Sequence, residues 1–182
     1  TLHLNESIFI QYGIFIEKLF QGDLGISTYT KRPVLVDIVS YFPATFELVL
    51  MSGLLMILIG MPLGILSGKF KNSIIDNVAR LISLLGVVTP SFLWAIILML
   101  IFAFWFPILP VSERMNEALD PPTLVTGLLL VDSLLEGNFK VFSDAFLHLI
   151  LPGLAIALPA IGNVARLTRT CLLYTSPSPR DK

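Results

Sequence analysis

The sequence predicts an all-α, polytopic membrane protein with three transmembrane helices. Hydrophobic residues make up 55% of the 182 residues and charged residues only 14%, where about 25% charged residues is typical of soluble proteins. A small soluble domain has a high surface-to-volume ratio, and this composition cannot cover such a surface with polar groups. The net charge of −1, without a basic block, also disfavours a nucleic-acid partner. The composition therefore disfavours a soluble enzyme or a disordered segment and favours a chain surrounded by the lipid bilayer.

Three long segments contain no Asp, Glu, Lys or Arg: residues 48–68, 81–112 and 145–165. A helix of about 20 apolar residues crosses the roughly 30 Å of hydrocarbon in a bilayer. Such a helix also satisfies its own backbone N–H and C=O groups, for which lipid offers no partner. We therefore predict transmembrane helices at 43–68, 81–106 and 145–165.

The basic residues predict the orientation of these helices. The connection at 69–80 carries three basic residues, whereas the longer connection at 107–144 carries two basic residues and six acids. Because Lys and Arg are enriched in cytoplasmic loops, we expect 69–80 and 166–170 to be cytoplasmic and the acidic loop at 107–144 to be external. The residues that indicate the cytoplasmic side are Lys69, Lys71, Arg80, Arg166 and Arg169.

Residues 1–42 are predicted to form an external interfacial helix followed by a loop. The stretch NESIFIQYGIFIEKLF has the pattern of an amphipathic helix on a membrane surface, which Gly22 would end. Because this region is expected outside, we also expect an earlier transmembrane helix upstream of it. A fourth apolar patch, at 124–131, is too short to span a bilayer and is expected to be an interfacial segment or part of the external loop.

The first predicted transmembrane helix carries a glycine face. Gly60, Gly64 and Gly68 occupy every fourth position, which lets a neighbouring backbone approach that side of the helix closely. The alternative is that glycine is simply more frequent in membrane helices. Pro62 removes a backbone donor within this run, so we expect a kink there. These four residues are candidates for helix packing or for a pivot.

The second predicted helix has a start signal and a break signal. Ser73 and Asp76 have the spacing of a capping box, and Asp76 and Arg80 are one turn apart and able to pair. An unbroken helix from this cap to the external loop would be about 50 Å long, too long for one bilayer. Pro90 must therefore break or bend it, and Pro152 predicts a bend in the third helix. Bent helices suit a bundle that rearranges, and static packing is the alternative.

The sequence contains no pattern typical of a catalytic, cofactor-binding or metal-binding site. It has no Walker A loop, no HExxH, no nucleophile elbow and no CxxC, and no charged residue at the middle of a predicted span. We therefore expect a chain that is not an enzyme and holds no cofactor, with any ATP hydrolysis on a separate subunit. His148 is expected to be interfacial or hydrogen-bonded. Glu47 is expected to be solvated or paired at the interface, and the alternative is that it faces a pathway.

The carboxyl-terminal residues 171–182 are predicted to be sequencing-adapter read-through. Residues 171–181 have the sequence CLLYTSPSPRD, which is one reading frame of a transposase-based sequencing adapter. The alternative is a genuine tail rich in proline and serine. On the first interpretation Cys171, the single cysteine, does not belong to the natural protein, and the segment is excluded from fold reasoning.

Several short motifs follow one another in order along residues 11–170. They are QGDLG at 21–25, RPV at 32–34, PATFEL at 43–48, GMPLG at 60–64, TPSF at 89–92, LP at 109–110, HLILP at 148–152 and RLTR at 166–169. In their order and spacing they resemble the B-type permease subunits of bacterial ABC importers for dipeptides, oligopeptides, nickel or glutathione.

This resemblance implies a multi-pass inner-membrane protein with about six spans, of which three are present here. It implies alternating access and several partners: a second permease subunit, two cytoplasmic ATPase subunits and an external solute-binding protein. Family members continue from the RLTR motif into a cytoplasmic loop that receives the ATPase, where this sequence has the adapter-like tail. Two alternatives stay open. One is a fragment of a secondary transporter or channel, which would need charges at the membrane midplane or an ion site at a half-helix, and the other is a membrane scaffold that transports nothing.

Overall fold

Helices account for most of the part of the chain that the structure describes, which confirms the all-α prediction. The computed structural model describes residues 7–175, and the chain divides into two units, Thr1–Pro43 and Ala44–Lys182. The helices are α1 (Ile8–Phe20), α2 (Val34–Lys69), α3 (Ile74–Val88), α4 (Ser91–Met99), α5 (Leu129–Leu135) and α6 (Phe139–Thr175), and a π-helical segment, Leu100–Trp105, continues α4.

The first unit begins with the predicted amphipathic helix. α1 buries none of its side chains and is followed by Gly22, whose φ of 79° is the left-handed conformation that glycine adopts without strain. The loop that follows closes with one antiparallel bridge between Ile26 and Pro33. α2 then begins at Val34, well before the predicted boundary at 43. Pro33 presets the backbone for the first turn, and Asp37 places a carboxylate at its positive end, so these residues start the helix early.

Among the described residues, α2 and α6 are long and apolar enough to cross a membrane, and the bent pair of α3 and α4 would make a third span. The two members of that pair are bent by 111°. Thr89 has an extended backbone, with φ −86° and ψ 126°, as favoured before a proline. Pro90 offers no N–H to continue the helix. The predicted helix at 81–106 is therefore two helices, with the expected break at Pro90.

α6 is the central helix of the second unit and contacts α3, α4 and α5. Its buried residues include four alanines, Ala145, Ala155, Ala157 and Ala165. Small residues let neighbouring helices approach closely: a Cβ added at Gly162 would lie 2.5 Å from the carbonyl oxygen of Ser83 on α3. Leu98 of α4 packs with Leu151 and Ala155 of α6 in the apolar core.

α6 extends beyond the predicted third span at 145–165 in both directions. It begins at Phe139, inside the predicted external loop, and it continues through 166–170, which was expected to start a cytoplasmic loop. Of the adapter-like segment, residues 171–175 are helical and residues 176–182 lie outside the described residues. The adapter origin of that segment stays a prediction.

The prolines inside the two long helices do not interrupt them. α6 is continuous through Pro152 and Pro159, and α2 is continuous through Pro62. A continuous helix can still change the direction of its axis, so the kinks predicted at Pro62 and Pro152 stay predictions. In the external loop, the apolar patch at 124–131 is partly loop and partly the start of α5, as its short length indicated.

Candidate functional site

Two groups of polar side chains lie in the second unit. We call them the inner cluster and the outer cluster, from the predicted orientation of the chain. The inner cluster is Ser67, Asp76, Arg80 and Arg169 with the backbone of Asn72, and the outer cluster is Glu47, Arg114, Asp132, Asp144 and His148. Both clusters join parts of the chain that are far apart in sequence.

A single carboxylate forms the centre of the inner cluster. Asp76 is completely buried, and two arginines each donate two hydrogen bonds to it. Arg80 donates from Nε to Oδ1 (3.2 Å) and from Nη2 to Oδ2 (2.6 Å), and Arg169 does so at 2.8 and 3.0 Å. Two-pronged pairs of this kind are the strong form of the arginine–carboxylate interaction. The expected pairing of Asp76 with Arg80 is confirmed, and Arg169 was not predicted to join it.

Two further donors complete the shell of Asp76. Ser67 Oγ donates to Oδ1 at 2.5 Å, and the N–H of Asn72 donates to Oδ2 at 3.0 Å. Asn72 has a φ of 63°, a left-handed conformation that asparagine tolerates better than most residues. The predicted capping box is half formed: Ser73 Oγ accepts from the N–H of Asp76 at 3.3 Å. Because the donors come from α2, α3, the turn between them and α6, this carboxylate joins three helices.

Three of the five predicted cytoplasmic basic residues are close together. Arg80 and Arg169 meet on the carboxylate of the inner cluster, and Arg166 lines a cavity of about 320 Å³ beside them. Lys69, the last residue of α2, lies over the ring of the next residue, with Nζ 5.5 Å from the ring centroid. Lys71 is exposed in the turn that follows.

The three glycines of the predicted packing face lie against α6. A Cβ added at Gly60 would be 3.1 Å from the Cβ of Val164, and one added at Gly68 would be 3.2 Å from the Cβ of Leu172. The approach is closest at Gly64, where an added Cβ would be 2.6 Å from the carbonyl oxygen of Ala165. The four-residue spacing thus puts all three glycines on the side of α2 that meets α6.

Glu47 forms the link between α2 and the external loop in the outer cluster. Its side chain is 5% exposed. Arg114 Nη2 donates to Oε2 at 2.7 Å, and the N–H of Leu130 donates to Oε1 at 2.7 Å. Of the states expected for Glu47, the structure has the paired one. Because its partners are 67 and 83 residues away, no short-range pattern could have identified them.

A second buried carboxylate holds the turn before α5. Asp132 is 1% exposed and accepts hydrogen bonds from the N–H groups of Val125, Thr126 and Gly127 and from the Thr126 hydroxyl. Burial opposes ionisation of this group, yet the hydrogen bonds from Thr126, Gly127 and Val125 outweigh it and lower the pKa of Asp132 below its ordinary value. Asp132 is therefore a structural anion of the loop.

His148 contacts Asp144, which lies one turn before it on α6. Its Nδ1 is 2.8 Å from the carbonyl oxygen of Asp144, so Nδ1 donates a hydrogen bond there. A carboxylate oxygen of Asp144 accepts from the N–H of Asn116 at 2.7 Å. His148 is thus hydrogen-bonded, as expected. It lines a cavity of about 240 Å³ together with Glu47 and Arg114. Within residues 7–175, no group of three or more His, Cys, Asp or Glu side chains could hold a metal ion.

Comparison with known proteins identifies similar membrane permeases. Residues 60–179 match the family model described as "Binding-protein-dependent transport system inner membrane component". The chain is 44% identical over 172 residues to "Probable D,D-dipeptide transport system permease protein DdpB" of Escherichia coli K12, which covers 94% of this chain and 51% of the relative. It is 37% identical over 172 residues to "Dipeptide transport system permease protein DppB" of Alkalihalophilus pseudofirmus, with the same coverage. The chain spans about half the length of the curated relatives it matches.

Proposed function

The chain belongs to the family of inner-membrane components of binding-protein-dependent transport systems, and from this membership we propose that it contributes part of the translocation pathway of an ABC importer. The observation that carries the proposal is the extent of the family match, which includes the last ten residues of α2 and all of α3 to α6. Of these helices, α2, α3 and α6 are held together by the glycine face and the inner cluster.

We propose a dipeptide or a related small peptide as the solute. The similar proteins of Escherichia coli and Alkalihalophilus pseudofirmus are named as dipeptide permeases, and the first of them as a D,D-dipeptide permease. In this proposal the chain has neither a cofactor nor a catalytic site of its own. Its partners are a second permease subunit, two cytoplasmic ATPase subunits that hydrolyse ATP, and an external solute-binding protein.

The proposed mechanism is alternating access. The external loop would face the solute-binding protein, and its position relative to α2 is set by the Glu47–Arg114 ion pair. The inner cluster joins the ends of α2, α3 and α6 that are predicted to be cytoplasmic, so a force applied there by the ATPase subunits would move these helix ends together. The glycine face would keep α2 and α6 in contact during that motion, and the break at Pro90 would serve as the pivot for α4.

Uptake measurements in cells test the proposal. The complete protein that carries these residues is produced with its partner subunits in a strain without its own dipeptide uptake, and entry of labelled L,L- and D,D-dipeptides is measured. Uptake is expected, and it should disappear when the catalytic glutamate of the ATPase partner is replaced. Uptake that persists without ATP hydrolysis would instead identify a secondary transporter, and a complete complex that takes up no peptide would overturn the proposed solute class.

A further inference from the structure

The cavity beside the inner cluster has no ligand in the proposed transport function. It has a volume of about 320 Å³, and both α3 and α6 contribute to its wall. Three arginines line it, Arg80, Arg166 and Arg169, together with apolar side chains that include Leu84 and Ala165. We propose that this cavity binds the phosphate headgroup of an anionic phospholipid.

The charge balance of the cavity favours an anion. Arg80 and Arg169 share one carboxylate, that of Asp76, so this group keeps one positive charge in excess. Arg166 adds a second, since within residues 7–175 it forms no ion pair. Each guanidinium has five N–H groups, and the bonds to Asp76 use only Nε and one Nη2 hydrogen of each arginine. Donors thus remain for phosphate oxygens.

The position and the apolar part of the lining favour a lipid over a soluble phosphate. In the predicted orientation the cavity lies at the cytoplasmic end of α3, where headgroups would meet the hydrocarbon, and basic pockets between helices on that side are suited to lipid headgroups. Leu84 lies one turn deeper than Arg80 on α3 and offers apolar surface to a glycerol backbone or acyl chain. A soluble phosphate ion would leave this surface unused.

Native mass spectrometry of the complete protein tests the proposal, with phosphatidylglycerol and phosphatidylcholine as the probes. Arg166→Gln removes a cavity charge without touching the carboxylate of Asp76, and we expect it to weaken phosphatidylglycerol binding about fivefold. Arg166→Lys should retain most of the binding because it keeps the charge. Lys71→Gln is the matched control, since Lys71 is basic, exposed and on the same predicted side but does not line the cavity.

The results are read without a transport assay, so they do not depend on the proposed function. Selective binding of phosphatidylglycerol that is weakened by Arg166→Gln, unchanged by Lys71→Gln and resistant to excess inorganic phosphate supports the proposal. Equal binding of both lipids overturns the proposal. An equal loss of phosphatidylglycerol binding in Arg166→Gln and Lys71→Gln also overturns it. Displacement of the lipid by inorganic phosphate would assign the cavity to a soluble anion and would also overturn it.

Discussion

Gly64 of α2 lies so close to Thr168 of α6 that a Cβ atom at Gly64 would be 2.6 Å from the Cβ of Thr168. The same added atom would be 2.6 Å from a backbone carbonyl oxygen of α6, and a backbone atom cannot rotate away as the end of a side chain can. The two helices therefore touch through their backbones at this point. Any side chain at Gly64 must push them apart.

The first prediction concerns this contact. Gly64→Ala should destabilise the protein by about 1–3 kcal/mol, which is the usual cost of overpacking, and Gly64→Leu should prevent correct packing and abolish uptake. Gly53→Ala is the matched control on the same helix, because an added Cβ there meets nothing within 4 Å. That control should leave stability unchanged or raise it by up to about 1 kcal/mol, since alanine favours a helix. Thermal unfolding of the purified complete protein measures both.

If Gly64→Ala and Gly53→Ala unfold at the same temperature, the close contact between α2 and α6 does not exist in the protein. If Gly64→Ala is destabilised but transports normally, the contact is structural only and does not take part in the proposed movement.

The second prediction is that Asp76 and Arg169 are energetically coupled. Replacing Asp76 by Asn leaves two arginines beside each other without their counter-charge, and Arg169→Gln removes two of the hydrogen bonds to the carboxylate. The double variant should lose less stability than the sum of the two single losses, because the second change removes a group that has already lost its partner. Lys140→Gln combined with Asp76→Asn serves as the control and should be additive, because Lys140 is exposed near the start of α6, far from Arg169 near its end. Additive losses of stability in both pairs would mean that Asp76 and Arg169 do not interact, which would contradict the contacts of the inner cluster.

The third prediction concerns the link between α2 and the external loop. Glu47→Ala removes the acceptor of the Leu130 N–H, so hydrogen exchange of that amide should become about tenfold faster or more. Glu47→Gln should have a smaller effect, since its carbonyl oxygen still accepts a hydrogen bond. Glu117→Ala, an exposed position of the same loop, should leave the exchange unchanged. Exchange at Leu130 that is the same in all three variants would rule out the link.

The fourth prediction is a dependence on pH at Asp132. Its pKa is lower in the folded protein than the ordinary value near 4, so the ionised carboxylate stabilises the turn at 125–127. That stabilisation is fully present above about pH 4 and is lost as the pH falls through the lowered folded pKa. Protection of the Thr126 and Gly127 amides should be constant between about pH 5 and 7 and fall in stronger acid. In Asp132→Asn the protection should already be low at pH 7 and should not change with acid.

Sequence reasoning predicted the local features of this fold and missed the distant ones. The Asp76–Arg80 pair is one helical turn apart and the glycine face follows a four-residue period, so both are visible in a short window. Arg169 is 93 residues from its carboxylate partner, and no rule of spacing connects two such positions. The surplus of arginine at the predicted cytoplasmic ends is the available signal, and by itself it indicates orientation and not a particular partner.

The same distinction explains the errors at helix ends. Pro33 and Asp37 favour the early start of α2. The polar, turn-rich stretch before these two residues favours a loop, and the predicted loop therefore ends too late in the sequence. The break at Pro90 was predicted because the missing N–H is a local property. The bend of 111° was not predicted, since the direction of α4 depends on how Leu98 packs against α6.

The last prediction is the side of the membrane that each connection faces. A bend of 111° is compatible with a broken span or with a segment that enters and leaves on one side. The positive-inside rule places the turn after α2 in the cytoplasm and the acidic loop outside. Single cysteines introduced as Lys71→Cys and Glu117→Cys, with Cys171 replaced by Ser, can be labelled with a membrane-impermeant maleimide in cells whose inner membrane is intact.

We expect Glu117→Cys to be labelled in intact cells and Lys71→Cys only after the inner membrane is permeabilised. Both positions are exposed in the structure. A cysteine that does not react is therefore protected by the membrane and not by burial within the protein. Labelling of both cysteines in intact cells, or of neither, would mean that α3 and α4 return to the side from which they start. The pair would then be a re-entrant segment, and two membrane crossings would remain in the described chain. In that arrangement the inner and outer clusters could not lie on opposite sides of the membrane. The proposed transmission of movement from the ATPase subunits to the external loop would then lose its structural basis.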